Sequence, residues 1–297
     1  MRNIHKILLP VDFPNISLRV VHQAATLARH FLSEIVMLHV MSAQSHAAGV
    51  PLGGPELAAW DLLAELDKAA ERNQNRKDPD KNPGQSLRTE LTGLTIRCLV
   101  VRGDPAQAIV QTAQSEEADL IMMPSHGYTF NRFLLGSVTA KVLHGTACPV
   151  WTDAHREESP ESEFAIRSVL CAVDLGSRSE QAVSWAAELA AEFGARLTLA
   201  HATGSVELWG PGGSYIDQRW KQAIVGDASQ RIVKLQQDLG LKADVIIGSG
   251  EVPKVLTQAA QQSKADVLVN GCYPYCGNLR THGYAIICAV PIPVLNV

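Results

Sequence analysis

Several absences narrow what this chain can be. No apolar run approaches the roughly 20 residues that span a bilayer, so the sequence offers no membrane helix. Basic charge is not in excess: 26 Lys and Arg face 30 Asp and Glu, a net of −4. Such a balance does not suit nucleic-acid phosphates or an anionic membrane. There is no disulfide framework either. The 6 cysteines are scattered through 297 residues, and Cys98, Cys171 and Cys288 lie inside the apolar runs "IRCLVV", "VLCAV" and "IICAV". Thiols placed this way read as buried and reduced, which points to the cytoplasm. The opening "MRNIHKILLPVDF" breaks its short apolar run with Pro10 and Asp12, and so reads as a first strand rather than a secretory leader. No G-x-G-x-x-G follows an early strand, which argues against a dinucleotide. "GSGEVPK" at 248–254 fails the G-x4-G-K-[ST] spacing of a P-loop.

What the chain does contain is a tandem repeat of itself. "KILLPVDF" at 6–13 is echoed by "SVLCAVDL" at 168–175, and "EIVMLHV" at 34–40 by "RLTLAHA" at 196–202. Asp12 and Asp174 stand 162 residues apart, as do His39 and His201. The offset then falls to 147 at Gly103 and Gly250, and at Asp119 and Asp266. It is 144 where "CPVW" at 148–151 meets "IPVL" at 292–295. A register held through several elements is the mark of a duplication. The join, "TDAHREESPESEF", is charged, poor in apolar residues and interrupted by Pro160, a linker composition. The expected organisation is a domain over 1–152, a linker over 153–165 and a second domain over 166–297.

Each copy alternates strand-length apolar runs with helical periodicity. Strands that are apolar throughout, rather than alternating, fit a parallel sheet buried on both faces. The predicted fold class is therefore α/β, two doubly wound parallel-sheet sandwiches in tandem, Rossmann-like. In such folds ligands sit beyond the carboxyl ends of the strands, at the point where strand order reverses. The residues to watch are those that follow each strand: Asp12, Val40, Gly103, Pro124 to Gly127, and the approach to Gly136. A helix starting near Ser137 would present unpaired N–H groups to a phosphate. Gly136 would permit close approach and the Ser137 hydroxyl would add a donor. The same residues also fit a plain helix cap, and Asp12 also fits a cap on the first helix.

Taken in order, "ILLPVDF", "VMLHV", "VVRGDP", "ADLIMMPSHG" and "LLGSVTAKVLHGTACPV" resemble the universal stress protein family. The resemblance covers nearly the whole chain, as two copies. It implies a five-stranded parallel sheet in each domain and, in some members, ATP with Mg2+ or Mn2+ held by Gly-x2-Gly-x9-Gly-Ser/Thr. Carried over, Pro10, Val11, Asp12 and Val40 would hold the adenosine part. Met123, Pro124, Ser125 and His126 would line the ribose side, with Gly103 at the neighbouring strand end. Gly127, Gly136, Ser137 and Val138 would meet phosphate. Two departures stand out: Pro124 occupies the first glycine, and eight residues rather than nine separate Gly127 from Gly136.

The second copy departs further. Gly271 matches the first motif glycine, Pro274 falls at the second, and Arg280-Thr281-His282 replaces Gly136-Ser137-Val138. The resemblance thus implies a stress-response or signalling protein that binds an adenine nucleotide through its first domain, without being an efficient enzyme. The alternatives are an interaction module that takes no nucleotide, and a slow ATP hydrolase using His126. The copies are expected to pair within the chain as a pseudo-dimer, with further homodimerisation open. "CYPYC" sets Cys272 and Cys276 close together without the remaining ligands of a zinc site, and reads as an oxidisable thiol pair. "GSVELWGPGGSYIDQRW" at 204–220 reads as a lid, a partner surface or a connection with aromatic anchors.

Overall fold

The computed structural model describes residues 3–12, 17–41, 90–125, 135–153, 164–204, 208–210, 213–215, 218–271 and 280–297. The chain divides into two compact units, Met1–Phe164 and Ala165–Val297. The first contains β1 (Lys6–Val11), α1 (Leu18–Phe31), β2 (Glu34–Met41), β3 (Thr95–Arg102), α2 (Pro105–Ser115), β4 (Leu120–Pro124), α3 (Ser137–Gly145) and β5 (Val150–Asp153). Its sheet runs β5-β4-β1-β2-β3, with all four neighbouring pairs parallel. The order reverses between β1 and β4. Right-handed crossovers then send α1 to one face and α2 and α3 to the other, where α2 and α3 pack together.

Burial follows the apolar runs. Ile7–Leu9, Ile35–Leu38 and Leu120–Met123 are all buried, as a sheet covered on both faces requires. Local chemistry sets the ends. Ser17 caps α1, accepting from the Val20 N–H at 3.4 Å. Asp104 caps α2 through the Gln107 N–H at 3.0 Å, and Pro105 takes the first turn, where no N–H is needed. At the opposite end of the sheet, one carboxylate oxygen of Asp119 accepts from both His5 N–H (2.8 Å) and Lys6 N–H (2.9 Å), tying the start of β4 to the start of β1.

The second unit contains β6 (Ser168–Ala172), α4 (Ser179–Phe193), β7 (Arg196–Thr203), the short strands β8 (Leu208–Gly210) and β9 (Gly213–Tyr215), α5 (Gln218–Asp238), β10 (Asp244–Ser249), α6 (Val252–Ser263), β11 (Val267–Asn270), α7 (Arg280–Ala289) and β12 (Val294–Asn296). Its parallel strands run β10-β7-β6-β11-β12, the same topology. Asp266 repeats the Asp119 clamp on Arg167 N–H (2.7 Å) and Ser168 N–H (2.9 Å). Part of the glycine-rich stretch after β7 folds as the antiparallel pair β8–β9, with Trp209 opposite Ser214. Residues 42–89, between β2 and β3, and the pair Cys272 and Cys276 lie outside the described residues.

Candidate functional site

The first unit gathers most of the expected site residues at the carboxyl ends of four adjacent strands. Val11 ends β1 and Asp12 follows it, exposed. Pro10 lies one residue inside, half-buried and opposite Leu38. On β2, Val40 stands just past the Val11–His39 pair and opposite Val101. Gly103 follows β3 and donates its N–H to the Met41 carbonyl at 3.1 Å. Its φ of 153° lies where side chains are strained, so the turn itself accounts for this glycine. Pro124 ends β4 and Ser125, 2% exposed, follows it. Met123 is buried within β4, opposite Thr152. His126 and Gly127 lie outside the described residues.

Gly136 and Ser137 begin α3. Gly136 has φ −57° and ψ 139°, a backbone open to any residue, so no turn geometry calls for glycine here. Its N–H donates to the Ser125 carbonyl at 2.9 Å and is therefore committed. The donors facing outward are the N–H groups of Ser137, Val138 and Thr139, which have no carbonyl a turn earlier to reach. The exposed Ser137 hydroxyl adds one more. Thr139 donates its hydroxyl to the Pro124 carbonyl at 3.0 Å. The start of α3 is thus pinned to the end of β4, the strand beside β1 where the sheet order reverses.

His39 turns its Nδ1 to the Val11 carbonyl at 3.2 Å, and His201 does the same to the Val173 carbonyl at 2.6 Å. A carbonyl only accepts, so both rings carry their proton on Nδ1. Asp104, at the Gly103 turn, is held below the usual carboxylate range by the Gln107 N–H and then by the nearby charge of Lys141. Cys98 is pushed up to about 11 and Cys148 to about 12, mainly by burial. These thiols keep their protons at neutral pH and are poor nucleophiles.

The two copies use matching aspartates differently. One oxygen of Asp174 accepts from Gly176 N–H (2.8 Å) and from the Ser179 hydroxyl (2.7 Å), which commits it to the start of α4. In the first copy the position of Gly176 is Pro14, and proline has no N–H to offer. Ser17, which matches Ser179, caps α1 itself. Among the described residues, the Asp12 carboxylate meets no hydrogen-bond partner.

The sequence reading missed a buried polar relay behind the site. Trp151 Nε1–H donates to Gln23 Oε1 at 2.8 Å, and Gln23 Nε2 donates to Asp153 Oδ1 at 3.0 Å. Arg19 Nε lies 3.1 Å from the same oxygen. Asp153, which the sequence reading placed in the linker, is the last residue of β5 and is buried. The repeat carried a signal for this: the second copy has Trp185 where the first has Gln23, and Leu295 where it has Trp151.

The sequence profile of the universal stress protein family matches residues 3–152 and again 165–273. The chain belongs to the universal stress protein family. Its second match stops short of Arg280, the segment where the second copy has lost Gly-Ser-Val. A universal stress protein of Methanocaldococcus jannaschii, MJ0531, is 34% identical over 146 residues, covering 49% of this chain and 79% of that protein. A second from the same organism, MJ0577, is 31% identical over 162 residues, covering 49% of this chain and 91% of its own. A solved universal stress protein from Archaeoglobus fulgidus overlays with a TM-score of 0.62 at 20% identity, covering 99% of this chain and 96% of that one. A functionally unknown protein from Pseudomonas aeruginosa, PA1789, gives 0.66 at 18% identity over 99% and 92%. At these identities the likeness speaks to the tandem fold. Among the described residues, no helix of this universal stress protein is long and apolar enough to cross a membrane.

Proposed function

We propose that the first domain binds an adenine nucleotide, ATP with Mg2+ or Mn2+, and that the protein serves as a nucleotide-responsive stress or signalling module rather than an efficient enzyme. The observation that carries this reading is the start of α3. An exposed Ser137 and three outward N–H groups are pinned beside the β1–β4 reversal, behind a glycine that the backbone does not require. Phosphate is stabilised at such a helix start without a basic side chain. Adenosine would lie along Pro10, Val11, Asp12 and Val40, with Gly103, Met123, Pro124, Ser125, His126 and Gly127 around the ribose and loop, and Gly136, Ser137 and Val138 at the phosphates. The Asp174 oxygen already bonded to Gly176 and Ser179, and the Arg280 replacement, argue against the same use of the second domain.

The donor set fits a cation that arrives with the nucleotide. Among the described residues, no group of three His, Cys, Asp or Glu could hold a metal alone. The exposed Asp12 carboxylate is a hard oxygen donor of the kind Mg2+ takes beside phosphate oxygens. Bound there, the ion would neutralise phosphate charge, while Asp12 orients it or a ribose hydroxyl. The proton-holding thiols of Cys98 and Cys148 support a cytoplasmic setting. A homodimer of the full chain belongs to the same proposal.

Calorimetric titration of the full chain with ATP and magnesium tests this reading. Saturable heat at one site per chain is expected, and silence up to millimolar ATP overturns it. Gly136→Arg, which installs the residue of the second copy, should weaken binding at least about tenfold, a loss of about 1.4 kcal/mol. The alternative, an interaction module without nucleotide, is favoured by Pro124, which brings no N–H to the rim. The same titration decides between them.

A further inference from the structure

We infer that Thr139 is a positioning residue for the nucleotide site, a hydroxyl clasp that holds the phosphate-facing end of α3 against β4. The inference rests on the nucleotide reading and names what prepares that site. Thr139 occupies the third position of α3 and is 4% exposed. A threonine deeper in a helix can turn its hydroxyl to a carbonyl one turn back, but at the third position α3 offers none. This one reaches out of the helix to the Pro124 carbonyl at 3.0 Å, while the Gly136 N–H takes the next carbonyl, that of Ser125, at 2.9 Å. Two successive carbonyls at the end of β4 therefore receive two donors from the first turn of α3.

Thr139 and Ser125 are themselves buried, so the Thr139 hydroxyl bond is partly shielded from water. The outward N–H groups of Ser137, Val138 and Thr139 itself are then fixed in direction before any ligand arrives. Ordering them beforehand removes that cost from binding. It also anchors the start of α3 to β4 although Pro124 contributes no donor. The second copy makes the complementary case. The position of Thr139 is Gly283 and that of Gly136 is Arg280. The hydroxyl of the clasp and the phosphate-facing glycine are both missing there.

The test compares Thr139→Val, which keeps the shape and removes the hydroxyl, with Thr139→Ser, which keeps the hydroxyl. Three quantities are measured on the full chain: hydrogen exchange of the Gly136 amide without ligand, affinity for ATP with magnesium, and the urea unfolding midpoint. The valine variant should exchange Gly136 about tenfold faster and bind ATP roughly fivefold to tenfold more weakly, the range expected for one hydrogen bond. The serine variant should stay within about twofold of the parent on both. Equal loss of affinity in both variants overturns the clasp, and so does a valine variant whose midpoint falls while its affinity and Gly136 exchange hold. Should the parent chain bind no nucleotide, the functional reading fails separately. The exchange comparison then still decides whether the hydroxyl fixes the start of α3: tenfold faster exchange in the valine variant alone upholds it, and unchanged exchange overturns it.

Discussion

Gly248 and Val255 interlock: a Cβ placed on Gly248 would sit 2.5 Å from Val255 Cγ1. The glycine lies on β10 and the valine on α6, so their approach sets how closely the helix rides on the edge of the second sheet. Valine is stiff at χ1 in a helix and cannot swing aside. Gly248→Ala should therefore destabilise the protein by about 1–3 kcal/mol through overpacking. The first copy solves the same contact with the sizes exchanged, Val101 on the strand and Ala108 on the helix. The double variant Gly248→Val, Val255→Ala should recover most of the loss. Urea unfolding of Gly248→Val, Val255→Ala and the double measures this, and additive losses in the double would refute the interlock.

Leu32 should be improvable. It closes α1 in the left-handed conformation, φ 56°, and is 89% exposed. A side chain there costs about 1–2 kcal/mol relative to glycine. Gly194 closes the matching helix at φ 60° without that strain. Leu32→Gly gains the relief and gives back part of it to the freer unfolded chain. A net rise of about 0.5–1 kcal/mol is expected in thermal or urea unfolding, and a fall would contradict the strain argument.

Breaking the relay behind β5 should be costly. In Gln23→Leu, the buried Trp151 N–H loses its acceptor and the buried Asp153 carboxylate loses a donor. Stranding a buried neutral donor costs about 1–3 kcal/mol, and disturbing a buried charge costs more. A loss of about 3–5 kcal/mol is expected from denaturant unfolding. A loss below about 1 kcal/mol would show that water or a neighbour replaces the amide.

Acid should act on the cluster at the amino ends of the strands. Arg97 bonds Glu116 and Glu34, and Lys6 also approaches Glu116. The Arg97 hydrogen bond holds the Glu116 carboxyl below its ordinary value of 4.5. A depressed carboxylate contributes stability that is complete above its unfolded value and is lost as pH falls through the lower folded value. Glu116→Gln should thus cost less than about 1 kcal/mol at neutral pH, as for a part-exposed pair. It should also flatten the loss of stability below pH about 4.5. Unfolding midpoints from neutral pH down to about 3 measure both effects. An unchanged acid limb would remove Glu116 from the account.

The fold was legible because its signals are local. Continuous apolar runs marked the buried parallel strands. The repeat then placed the ligand-facing end by topology. What stayed hidden depends on partners far along the chain. Gln23 looks like a polar interruption of an apolar helix face until Trp151, 128 residues later, supplies its donor. Thr139 looks like any helical threonine, and only the return of α3 to β4 turns its hydroxyl outward. Asp12 and Asp174 share a motif yet differ in commitment, since Pro14 cannot offer the N–H that Gly176 gives. Gly103 and Gly136 looked alike as motif glycines. Backbone angles separate them, one demanded by the turn and the other not.

The imidazole struts from His39 to Val11 and from His201 to Val173 give the molecule a built-in control. Both rings report from the same station at the end of a first strand, one beside Asp12 and the other beside the occupied Asp174. In a nitrogen-15 spectrum of the histidines, the second ring serves as the reference for the first, in one tube and at one pH. Nucleotide entering the first domain alone would move the His39 pair of resonances and leave the His201 pair still.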